Sequence, residues 1–222
     1  MSLFNAVVNN NLEHVLELLI AGHSPNSFNK KREEVPPLLI ACYNNHHEII
    51  DALLTDGAKP NLTSDNADNM TPLMVAQDLD TVKKLMSHGA DAGRLDDSGN
   101  SAIHHFIRDF SGESNGFLMT QELLNAGANP NVMNINYETP LILAAKYGDI
   151  KMIILLLQNG AALNDDSQLK RAIQAATRYP KAKNFLQDFR NYLILVGGLR
   201  RSKSRAKLNK DLVRKVVEML RE

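Results

Sequence analysis

TPLILAAKYGDIKMIILLLQNGAALN, residues 139–164, is the stretch that decides the fold. Thr139 is suited to cap a helix N-terminus, and Pro140 follows at the first helical position, where a missing N–H costs nothing. Ala144 and Ala145 are small enough to let a neighbouring helix approach closely. A second helical stretch places Ile153, Ile154, Leu156 and Leu157 on an apolar stripe at helical period. Gly160 then closes it, because glycine readily takes the left-handed conformation that ends a helix.

Working outward, the same elements recur. PPLLIAC at 36–42, TPLMVAQ at 71–77 and SAIHHFI at 101–107 repeat the opening. LLIAGHSPN ending at Asn26, LLTDGAKPN at Asn61, MSHGADAG, and LLNAGANPN at Asn131 repeat the close. The closing glycines are Gly22, Gly57, Gly89, Gly127 and Gly160, spaced 35, 32, 38 and 33 residues apart. A period near 33 signals a repeat array, in which one helix pair cannot bury both faces and must stack on the next. These residues resemble the ankyrin repeat, whose pattern reads TPLHLAA, a Gly-centred turn, a Leu-rich helix and GADVN. SLFNAVVNNNLEHVLELLIAGHSPN is then an opening copy that starts at its first helix. The expected fold is all-α: an ankyrin-repeat solenoid of helix-turn-helix units with short hairpin-like fingers and a helical C-terminal cap. Five repeats are expected at about 1–31, 32–66, 67–96, 97–134 and 135–166.

Two copies depart in length. From cap to closing Gly, 71–89 is three residues shorter than 139–160, and 101–127 is five longer. Thr71 with Pro72 is expected to cap its helix as Thr139 does, and the extra residues to form an exposed loop at DFSGESNG, 109–116. Beyond Asn164 the finger pattern fails. Residues 167–222 read as a divergent helix pair, with Pro180 starting the second helix and Gly197-Gly198 ending it, then a basic linker and an amphipathic terminal helix that caps the solenoid. The apolar face of that terminal helix would carry Leu208, Leu212, Val213, Val216, Val217 and Leu220.

Charge is unevenly spread. Residues 1–166 hold 10 basic and 21 acidic side chains, and 167–222 hold 15 and 4, so a net charge of zero conceals a dipole of about −11 against +11. The run RRSKSRAK at 200–207 reads as a solvated linker, an import or secretion element, or a contact for nucleic acid or anionic lipid through Arg200, Arg201, Lys203 and Arg205. The single Cys42 cannot form an internal disulfide, and the first residues lack the basic and apolar regions of a secretory signal, so a cytoplasmic location is expected. No apolar run approaches the ~20 residues needed to cross a bilayer. The Asn-rich, degenerate repeats also look like those of ankyrin proteins that intracellular bacteria export into host cells, an effector acting on a host protein.

No catalytic, cofactor or metal constellation emerges. His46-His47-Glu48 is not HExxH, so two imidazoles four residues apart are not available to one zinc. His46 follows the inter-helix turn, and His104 stands at the His of TPLH, where the resemblance implies a ring that supports a neighbouring loop. Cys42 reads as a buried stand-in for Ala. Asp96-Asp97 and Asp165-Asp166 read as solvated finger tips and turn residues. A P-loop, a GxGxxG fingerprint, a GxSxG elbow and the kinase motif set are missing from the sequence.

The resemblance implies a protein-binding module that grips another protein with the concave face of the solenoid, made of the fingers and first helices. The finger slots hold Arg32, Glu33, Val35, Asp68, Met70, Asp97, Ser98, Asn100, Asn136 and Glu138. The first-helix slots hold Tyr43, Asn44, Gln77, Asp78, Arg108, Asp109, Lys146 and Tyr147. Tyr43 and Tyr147 are the expected anchors, since aromatic side chains concentrate interface energy. A monomer is expected, with a partner of basic or mixed-charge face.

Overall fold

A computed structural model describes residues 2–28, 35–64, 67–161 and 166–197, with side chains as far as 191. The finger residues Arg32 and Glu33, Asp165, and the basic and amphipathic stretch 200–222 lie outside the described residues. All regular structure among the described residues is helical, and the chain divides into two compact units, Met1–His105 and Phe106–Glu222.

The first unit opens with the helix pairs α1 (Leu3–Val8) with α2 (Leu12–Ile20) and α3 (Pro37–Tyr43) with α4 (His47–Thr55). First helix packs on first helix and second on second, α1 against α3 and α2 against α4. Small residues permit the approach: Ala6, Ala41 and Cys42 are fully buried between them, with Ile49, Ile50 and Leu53 beneath. Polar side chains at the N-cap positions accept orphan amides, Ser2 from Asn5 and Asn11 from His14. The closing glycines of all five copies sit at φ between 84° and 95°, as their position requires.

The short third copy resolves its missing residues at the expense of a helix. Residues 72–75 form only a turn, held by the Met74 amide on the Thr71 carbonyl at 3.0 Å, and α5 (Leu79–Ser87) follows almost at once. Thr71 therefore caps no helix, against expectation. Its hydroxyl is buried without a partner, and its amide donates to Met74 Sδ at 3.4 Å. Asp78 takes over as the cap, accepting from the Thr81 amide at 2.8 Å.

α6 (Ala102–Asp109) begins at the end of the first unit, and in the second come α7 (Ser114–Asn125), α8 (Pro140–Tyr147), α9 (Ile150–Gln158), α10 (Asp166–Ala175) and α11 (Pro180–Gly197). Here α8 packs on α10 and α7 on α9, and Ala144, Ala145, Ile153, Leu156 and Leu157 fill the core. Thr139 caps α8 as its sequence predicts, and Asp149 caps α9. The extra residues of the long copy make a shorter loop than the 109–116 expected. They lengthen α7 to 12 residues, where α2, α4, α5 and α9 have 9, and leave a short connection at 110–113. Gly116 lies in the first turn of α7, buried so tightly that a Cβ would stand 2.6 Å from Phe110 Cβ. That close approach is what the glycine in DFSGESNG serves.

Successive copies are tied by an asparagine. Asn26 Nδ2 donates to the Gly57 carbonyl at 3.1 Å while its Oδ1 accepts from the Lys59 amide at 2.7 Å. Asn61 does the same with the Gly89 carbonyl and the Asp91 amide, both at 2.8 Å. In the second unit Asn131 Nδ2 reaches the Gly160 carbonyl at 3.1 Å. The amide side chain suits this task because it presents one donor and one acceptor in a plane, the pattern of a backbone peptide. The corresponding residue of the third copy is Gly93, which has no side chain to offer.

Candidate functional site

In the first unit the finger at 96–100 is a closed hairpin, with the Asp96 amide donating to the Asn100 carbonyl and the Gly99 amide to that of Asp96, both at 2.9 Å. Its hub is Asp96, which sequence reasoning placed at a solvated tip. The structure buries it. Oδ1 accepts from the amides of Ser98 (2.9 Å) and Asn100 (2.7 Å), and Oδ2 from Asn100 Nδ2 (3.0 Å) and His105 Nε2 (2.9 Å). Burial alone would raise this carboxyl, but the bonds from Asn100 and His105 outweigh it and hold Asp96 below the usual carboxylate range. Asn100, expected on the binding face, is consequently buried inside the hairpin.

The finger is thus supported by His105. His104 turns inward and accepts from the Ser101 amide at 3.1 Å. His46 Nδ1 lies 3.1 Å from the Val7 carbonyl and joins the first two copies.

The remaining expected residues of this unit separate into two groups. Tyr43 (60% exposed), Asn44, Asp68 and Asp97 are open to solvent. Adjacent fingers are stitched together by the Asp97 amide on the Asp68 carbonyl at 3.0 Å and by Asn69 Nδ2 on Asp97 Oδ1 at 2.9 Å. Met70, Ser98 and Gln77 are half-buried, and Gln77 Nε2 donates to the Val75 carbonyl. Asp78 is occupied as the cap of α5 and lies 3.1 Å from His47 Nε2. Partial burial would raise its carboxyl, but Thr81, Asn45 and His47 hold it below the ordinary range. The Cys42 thiol is pushed up strongly, first by burial and then by the charge of Asp78, which leaves it an inert core group.

In the second unit the finger at 134–138 has the same build. Asn134 is its buried hub, accepting at Oδ1 from the amides of Asn136 (3.0 Å) and Glu138 (2.9 Å). Glu138 is half-buried and takes Lys146 Nζ at 3.0 Å, while Asn136 is exposed and Tyr147 half-buried. Arg108 and Asp109 are exposed and paired to each other at 3.0 Å. No group of three or more His, Cys, Asp or Glu among the described residues is placed to hold a metal ion.

The sequence model of the family described as ankyrin repeats (three copies) matches residues 3–96 and 110–194. The chain belongs to the ankyrin-repeat family. It is similar to a solved ankyrin repeat domain from Acinetobacter baumannii AYE, at 30% identity and a TM-score of 0.65, over 72% of this chain and 81% of that one. An ankyrin repeat protein of fowlpox virus (strain NVSL) is 32% identical over 151 residues, 68% of this chain and 19% of the viral protein. A serine/threonine-protein kinase of Dictyostelium discoideum is 36% identical over 78 residues, 35% of this chain and 9% of the kinase. The chain thus spans about a fifth of the viral relative and about a tenth of the kinase.

One feature of the ankyrin fingers escaped sequence reasoning. The tip of the 134–138 finger carries Ile135 at 66% exposure and Tyr137 at 64%, beside Met133 at 46%. The matching tip at 97–99 reads Asp-Ser-Gly. Tyr137 also sits at φ +59°, where its counterpart Gly99 sits at +74°. An L-residue pays about 1–2 kcal/mol for that conformation. The signal was available in the sequence: Met133, Ile135 and Tyr137 alternate through a finger whose neighbour is polar.

Proposed function

We propose that this chain, built of repeats that are protein–protein interaction modules, binds a partner protein through its fingers and the exposed ends of its first helices. Among the described residues no helix is long and apolar enough to cross a membrane. In the first unit the contacting residues are Tyr43, Asn44, Asp68 and Asp97, and in the second Ile135, Asn136, Tyr137, Lys146 and Tyr147. The observation that carries this reading is the finger tip at 135–137. A large apolar side chain and an aromatic one are held in solvent there, the aromatic one in a strained backbone conformation, at a position where Gly99 shows that none is needed. Strain of this kind persists where it serves a contact. The acidic excess of residues 1–166 favours a partner with a basic or mixed-charge face.

The test uses a partner identified by affinity capture and then purified. Replacing Tyr43, Ile135 or Tyr137 by Ala should each weaken binding by about 1–4 kcal/mol if it is an anchor. Neutralising Asp68 or Asp97 should mainly slow association. Parental affinity in all three apolar variants, with helical content intact, would refute the proposal.

A further inference from the structure

Several of the cations that the structure describes are held in ion pairs. Lys84 is held by Asp51 and Asp80, Lys146 by Glu138, and Lys170 and Arg190 by Asp166. The turn between α10 and α11 differs. Arg171, Arg178, Lys181 and Lys183 fall within 13 residues, all are exposed, and none forms an ion pair among the described residues. Arg171 and Arg178 are seven residues apart, two helical turns, so they share one face of α10 and its 3-10 extension Ala176–Arg178. Between Arg178 and Lys181 stands Tyr179, 41% exposed. Its ring is seated on Gly148: a Cβ there would lie 2.3 Å from Tyr179 Cγ, so the aromatic surface is fixed in place by the residue beneath it.

We infer that this corner is a second docking surface, for an extended acidic segment of a partner protein that carries an apolar side chain between its carboxylates. The inference rests on the reading of the chain as a protein-binding module and names the chemistry of one contact. Four residues of α-helix and three of 3-10 helix rise about 12 Å. Four residues of an extended strand cover about 13 Å and return to the same face, so carboxylates at every fourth position of a strand, with an apolar residue midway on that face, match Arg171 and Arg178. The apolar residue between them meets Tyr179. A short acidic segment needs only this local field. A longer polyanion or an anionic membrane would also meet the rest of this unit, whose residues 106–166 carry 7 acidic and 3 basic side chains.

The probe is a fluorescent twelve-residue peptide of three Glu-Gly-Leu-Gly quartets, titrated with the full chain. Saturable binding is expected, weakening with salt. The triple variant Arg171→Glu/Arg178→Glu/Lys181→Glu should lose at least about tenfold in affinity. The control Lys83→Glu/Arg94→Glu, at exposed cations of the first unit, should stay within about twofold, with circular dichroism confirming that every variant is folded. No saturable binding, an unaltered triple variant, or loss on neutralising 200–207 alone would overturn the inference. So would a DNA oligonucleotide or a phosphatidylserine vesicle binding more tightly than the peptide. If the purified partner still binds through Tyr43 and Ile135 while the peptide does not, only this second surface falls.

Discussion

Removing the asparagine clamp at position 61 should loosen the second and third ankyrin repeats without touching the core. Asn61→Ala deletes two hydrogen bonds of 2.8 Å, to the Gly89 carbonyl and from the Asp91 amide. A neutral hydrogen bond contributes about 0.5–1.5 kcal/mol net, so the pair is worth about 1–3 kcal/mol. Asn61 is only half-buried, and water can reach the stranded groups, which places the expected loss in the lower half, about 1–2 kcal/mol. For a chain of this size that is a fall of about 2–8 °C in the unfolding midpoint. Asn61→Asp keeps the acceptor and loses the donor, so it should retain part of the clamp. Thermal unfolding by circular dichroism measures the midpoint, and amide hydrogen exchange at Asp91 reports the local bond. Asn129→Ala is the control, since its Oδ1 accepts the Asn131 amide of its own turn. A parental midpoint with undiminished protection of the Asp91 amide in Asn61→Ala would refute the account of how the repeats are joined.

Other consequences are equally open to measurement. Asp78 and Asp96 are held below the ordinary carboxylate range, so the stability they contribute is present above an unfolded pKa of about 3.9 and is lost as pH falls through their lower folded values. Urea midpoints should therefore decline below about pH 4, and Asp96→Asn should flatten that decline while costing about 1–3 kcal/mol at neutral pH. An unchanged acid limb would contradict the buried role of Asp96. Gly116→Ala should destabilise by about 1–3 kcal/mol because its Cβ meets Phe110, even though helix propensity alone argues for a gain of about 1 kcal/mol. Measured stabilisation would show that the α6–α7 corner relaxes freely. Leu156→Ala, at a fully buried site of α9, should cost about 2–5 kcal/mol by chemical denaturation.

The ankyrin pattern was legible wherever a residue's role depends on its own backbone or its own helix face. The closing glycines, the Thr139 cap with Pro140, and the buried stripe through Ile153 and Leu156 all follow from local rules and recur at a fixed period. What sequence reasoning missed depends on neighbours. Thr71 looks like Thr139, but three absent residues leave no room for the helix it would cap. Asp96 and Asp97 are indistinguishable as letters, yet only Asp96 lies where Asn100 and His105 converge. Gly116 read as a loop residue because glycine permits both a turn and a close helix contact, and only the position of Phe110 decides between them. Among the proposed contact residues, Asn100 was misplaced for the same reason as Asp96. The exposed Ile135 and Tyr137 were passed over because apolar residues are ordinarily assigned to a core.

The asparagine clamp has a consequence for how such a chain can change. Both of its targets are main-chain atoms, the carbonyl of a closing Gly and, for Asn26 and Asn61, the amide two residues later. The joint therefore recognises the course of the backbone and is indifferent to which side chains the adjoining copy displays. A segment running from one clamp to the next, such as 27–61, is in effect a cassette with standard fittings at each end. Surface residues can drift, or whole cassettes be duplicated and shuffled, while the fittings still engage. Diversification of what the surface meets is thereby uncoupled from the means by which the copies stay attached.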